Sequence, residues 1–99
     1  MGELIKGYGY KFANVTASAT TTLVTGPGFL GSVMVNSTGA GAAETITIYD
    51  NTTSATTIIG TIAAPTQGQR YVYNCMFNVG LTVKNVSTTS NLTITYGPR

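Results

Sequence analysis

The feature that most limits what this chain can become is a period of two. In Thr45-Ile46-Thr47-Ile48-Tyr49 the isoleucines fall on one side of an extended chain, and Thr45, Thr47 and Tyr49 on the other. Leu92, Ile94 and Tyr96 alternate with Thr93 and Thr95, and Leu81 and Val83 alternate with Thr82 and Lys84. No window carries the three-and-four spacing of an amphipathic helix. Each segment therefore reads as a strand of an antiparallel sheet with one apolar face and one polar face.

Further strands are expected at 20–25 and 29–36, separated by the turn Gly26-Pro27-Gly28, and at 57–63, where Gly60 suggests a bulge. Residues 70–77 are apolar or aromatic on both faces, as in a central strand or one packed against a neighbour. Stretches rich in Ser, Thr, Asn, Gly and Pro at 37–42, 50–54, 65–68 and 87–91 read as turns. The 99 residues fit one domain. The expected fold is all-β: a single small antiparallel sandwich of about seven to eight strands, with jelly-roll, immunoglobulin-like and Greek-key connections all open. Residues 13–99 form the sandwich, and residues 1–12 read as an N-terminal arm. That arm holds two of the five basic residues and three of the nine aromatics. Lys6, Tyr8, Tyr10, Lys11 and Phe12 are its candidate partner contacts. The same segment also reads as a first strand packed on its own sandwich.

Charge is scarce. Only eight residues carry one, against about a quarter of a typical chain. A strand-rich surface without charge invites edge-to-edge pairing, so partner subunits are expected to cover the edges. The net charge of +2 is too small for a nucleic-acid stripe, and the apolar runs are too short to span a membrane. The start of the chain lacks the apolar core of a signal peptide, which points to synthesis in a cytoplasm.

The residues needed for catalysis are missing. There is no His. Glu44 and Asp50 flank one strand, about 20 Å apart, too far for a paired-carboxylate site. Cys75 has no His to activate it and shares a strand face with Tyr73 and Phe77, which suits a packed thiol. Asp50-Asn51-Thr52 offers one carboxylate, which makes a turn better than a calcium site. The pairs Thr45/Thr47 and Thr93/Thr95 suit an ordinary solvent face better than an ice-binding array. Tyr71 and Tyr73 suit packing better than a sugar platform. A non-enzyme without metal or cofactor is expected.

The segments Glu44-Thr45-Ile46-Thr47-Ile48-Tyr49-Asp50-Asn51-Thr52 and Thr57-Ile58-Ile59-Gly60-Thr61-Ile62 resemble small β-sandwich modules of tailed bacteriophages. Tyr71-Val72-Tyr73-Asn74, Phe77-Asn78-Val79-Gly80-Leu81-Thr82-Val83 and Leu92-Thr93-Ile94-Thr95-Tyr96 continue the likeness, which covers about residues 29–97. The resemblance implies a virion structural protein: a capsid decoration (cement) protein on the capsid surface, bridging the major capsid protein as a trimer or dimer. Two alternatives stand beside it. One is a tail, baseplate or fibre component that recognises a host glycan, and the other is a cellular β-sandwich binding module.

Overall fold

The computed structural model describes residues 11–16, 19–38, 44–53, 56–85 and 91–98. They form eight strands: β1 (Lys11–Thr16), β2 (Ala19–Thr25), β3 (Gly28–Ser37), β4 (Thr45–Tyr49), β5 (Ile58–Ala63), β6 (Arg70–Phe77), β7 (Gly80–Asn85) and β8 (Asn91–Pro98). Two four-stranded sheets result, ordered β1-β8-β3-β6 and β2-β7-β4-β5, and every pairing is antiparallel. This interleaved order is that of a jelly roll, which settles the choice of connection that the sequence left open.

The alternation in the sequence is the alternation in the core. Leu92 and Ile94 of β8 point inward beside Leu30, Val33 and Val35 of β3 and Val15 of β1. Ile46, Ile48, Ile62, Leu81 and Val83 face them from the second sheet, and Phe77 is fully enclosed. The outer face of the second sheet carries Thr20, Thr22, Thr45, Thr47, Thr61 and Lys84, the alternate residues of those strands. Thr45/Thr47 and Thr93/Thr95 belong to different sheets, so they form no shared threonine array.

β1 and β2 are the edge strands of one flank and are in contact. On the opposite flank β5 and β6 are the edges, and the Tyr73 ring closes that side over Gly60. A Cβ at Gly60 would lie 2.7 Å from the ring, so only glycine leaves the space. β6 is thus an edge strand and not a central one. Its inward side chains Tyr71, Tyr73 and Cys75 pack on the core, whereas Val72 and Met76 face outward and are at least half exposed.

Lys11 and Phe12, the last two residues assigned to the arm, belong to β1 and pair with Tyr96 and Thr95 of the domain's own sheet. Lys6, Tyr8 and Tyr10 lie outside the described residues.

Candidate functional site

Two features stand out from an otherwise threonine-covered surface. The first is the outer face of the sheet β1-β8-β3-β6. Strand register lays its side chains out in rows: Phe29 beside Met76, then Phe12, Thr95, Ser32 and Val72, then Asn14, Thr93, Met34 and Arg70. The row beyond these is polar and is hydrogen-bonded to its neighbour. Asn36 Nδ2 donates to Asn91 Oδ1 at 2.8 Å and to Thr93 Oγ1 at 2.7 Å, and Asn14 Nδ2 donates to Thr93 Oγ1 at 3.0 Å.

Midway along this face the sheet bends through two consecutive bulges. One residue of β8, Thr95, separates Ile94 from Tyr96. Opposite it β3 places two residues, Gly31 and Ser32, between Val33 and Leu30. Opposite those β6 places three, Val72, Tyr73 and Asn74, between Tyr71 and Cys75. Asn74 absorbs the extra length with a left-handed φ of 48°. The bulge at Gly31 also lets Leu30 and Val33 both point inward, which unbroken alternation forbids. The result is an open depression of about 210 Å³ lined by Phe29, Gly31, Ser32, Arg70, Val72, Asn74 and Thr95.

The second feature is the corner where the β4–β5 loop meets the β6–β7 turn. Asp50 accepts hydrogen bonds from the backbone N–H groups of Asn78 (3.0 Å), Val79 (2.8 Å) and Gly80 (3.3 Å). Its own N–H donates to the Thr57 carbonyl at 2.8 Å, and the Gly26 N–H donates to the Val79 carbonyl at 2.8 Å. Asn51 Oδ1 accepts from the Thr52 N–H at 2.7 Å, and Thr82 Oγ1 donates to the Asn51 carbonyl at 2.7 Å. A Cβ on Gly80 would meet the Val24 carbonyl oxygen at 2.8 Å, so the strands close here only around glycine. Burial raises the Asp50 pKa, but the three N–H bonds outweigh it and hold the carboxyl below its usual value. This corner presents Ile58 and Val79, with Met76 near the end of β6. All three are half exposed or more.

Phe12, 70% exposed, stands on the opposite flank on edge strand β1. Of the expected contact residues, the structure places Lys11 and Phe12 on the surface. Reading the sequence alone missed Ile58, Val72, Met76 and Val79; for Val72 and Met76 the signal was the apolar character of both faces of residues 70–77.

Among the described residues no three His, Cys, Asp or Glu side chains come together. Burial, and then the Asp50 charge, push the Cys75 thiol above its ordinary value, away from the reactive thiolate. No helix among the described residues is long and apolar enough to cross a membrane.

No family model matches this chain, and no curated protein matches it. Among solved structures it resembles the Drosophila NLP core, with a TM-score of 0.54 and 14% identity over 88% of this chain and 95% of that one. The crystal structure of that core was described as giving insight into pentamer formation and histone binding. This finding corrects the expectation of a phage virion protein, and with it the capsid decoration role, the tail or fibre alternative and the major capsid protein as partner. The segments that carried the likeness have plain structural roles here. The Ile/Thr alternation fills a two-sheet core, and Tyr49-Asp50-Asn51-Thr52 is the turn that ties two loops together.

Proposed function

We propose that this chain is a non-enzymatic, cellular β-sandwich binding module that assembles head to tail into a homo-oligomer through its two flanks. One observation carries the reading: exposed apolar side chains stand on both flanks. Ile58, Met76 and Val79 lie by the β5/β6 edge, and Phe12 lies on the β1 edge. A contact between unlike patches is heterologous, and when its rotation closes it makes a ring. Edge strands with so few charges gain by being covered. The fold likeness to a core described in terms of pentamer formation supports this arrangement. Histone binding does not carry over. A basic partner would meet a net charge of +2, and one of the three carboxylates, Glu44, is buried.

Light scattering tests the assembly. The expected mass is a multiple of the 10.3 kDa chain, five-fold if the ring closes as a pentamer. Ile58 and Val79 are exposed, so Ile58→Asp and Val79→Asp should leave the sandwich folded and reduce the mass to that of one chain. A wild-type monomer at high concentration would overturn the reading.

A further inference from the structure

We infer that the depression at the double bulge is a binding site for a carboxylate that carries a small flat or branched apolar group. The inference rests on the binding-module reading and names the ligand of its free face.

The polar groups around the depression differ from their neighbours. Asn14, Asn36 and Thr93 are tied into a side-chain ladder. By contrast, the side chains of Ser32, Arg70, Asn74 and Thr95 make no hydrogen bond or ion pair with another described residue, although they converge on one hollow. Arg70 supplies the cation. The described carboxylates do not neutralise it, because Glu44 and Asp50 sit at the two ends of β4 in the other sheet. A guanidinium that no described carboxylate neutralises presents a planar fork that matches a carboxylate with two parallel hydrogen bonds. Beside it Phe29 and Val72 offer an apolar wall, and Gly31 lets the floor recede. A Cβ there would stand 3.1 Å from the Thr95 carbonyl oxygen.

Size limits the ligand. The volume of about 210 Å³ is below the ~300–1,000 Å³ of sites for drug-sized molecules and above the ~150 Å³ cavity that holds a benzene ring. One ring or branched chain plus a carboxylate fits. Backbone strain points the same way. Asn74, a non-glycine residue with positive φ in the middle of a strand, turns an amide toward the hollow instead of continuing the ladder.

That chemistry has two sources, a free small acid or the C-terminal residue of a polypeptide. The experiment titrates the isotopically labelled full-length chain and follows its amide resonances. The probes are phenylacetate and acetyl-Gly-Phe with a free C-terminus, each compared with its neutral primary amide. Saturable shifts confined to Gly31, Ser32, Asn74 and Thr95 are expected with the acids, weakened by about tenfold or more with the amides. R70Q should abolish them while leaving the remaining resonances in place. Preference for the dipeptide would assign a chain terminus, and preference for phenylacetate a small metabolite-like acid. Absence of saturable shifts with both acids, or equal binding of acid and amide, would overturn the site. Arg70 opens β6, at the opposite end of that edge strand from Met76, so the oligomer mass is expected to stay unchanged. Failure of the site and failure of the assembly are thereby told apart.

Discussion

Replacing Asp50 should weaken the fold by a calculable amount and change how that fold responds to acid. The carboxylate accepts from three consecutive backbone N–H groups, at 2.8 to 3.3 Å. A hydrogen bond contributes about 0.5–1.5 kcal/mol net, and more when one partner is charged. Asn78 and Val79 are exposed, so water takes over part of the loss and the lower half of that range applies. Asp50→Ala should therefore cost about 1.5–3 kcal/mol, and Asp50→Asn, which keeps one carbonyl acceptor, about half as much. For a chain of this size each kcal/mol lowers Tm by about 4–8 °C.

The pH dependence follows from the direction of the pKa. In the folded chain Asp50 lies below its ordinary value of 3.8, so its contribution is complete above 3.8. As pH falls the unfolded chain takes up the proton first, and the contribution is lost through the lower, folded-state value. Urea denaturation of wild type and Asp50→Asn at fixed protein concentration, at pH 7 and at about pH 2.5, reads this directly. All other carboxylates are common to both proteins. The stability gap should shrink in acid. A gap that persists unchanged, or is absent at pH 7, would refute the role given to this carboxylate.

Two further substitutions and one chemical test address the interior. Gly28→Ala would place a Cβ 2.5 Å from Phe77 Cζ and 2.7 Å from the Gly97 carbonyl oxygen. The backbone oxygen cannot move aside as a side chain does, so a cost of about 1–3 kcal/mol in urea denaturation is expected. Phe77→Ala empties the centre of the core and should cost about 3–5 kcal/mol, measured by the same method. The Cys75 thiol, pushed up by burial and then by Asp50, should react with a disulfide reagent at pH 8 about tenfold more slowly in the folded chain than in urea.

Much of the fold is legible in the residues because alternation is a local property. Ile46/Ile48, Leu81/Val83 and Leu92/Ile94 announce both the strand and its buried face. What alternation does not carry is the order of strands or the place where register slips. Gly31 and Asn74 each absorb one extra residue, and neither position looks different from other Gly and Asn positions in the chain. The hollow they create is therefore invisible until the sheet is assembled. The character of β6 was legible but ambiguous. Val72 and Met76 opposite Tyr71, Tyr73 and Cys75 fit a strand covered on both sides, and only the topology shows that no described strand supplies its outer cover. The β1 strand was hidden because Lys11-Phe12-Ala13-Asn14-Val15-Thr16 places an exposed Phe12 beside a buried Val15.

Head-to-tail assembly is tested most directly by mixing two variants, each damaged on one flank. Phe12→Asp spoils the β1 side and Ile58→Asp the β5/β6 side, and both positions are exposed, so both chains should fold. Each variant alone retains one sound patch with nothing to meet and should be a monomer. Mixed in equal amounts, the two sound patches can meet once, and light scattering should find a species of twice the 10.3 kDa chain mass. A mixture that stays monomeric while the wild type is oligomeric, or a single variant that pairs with itself, would contradict assembly through opposite flanks.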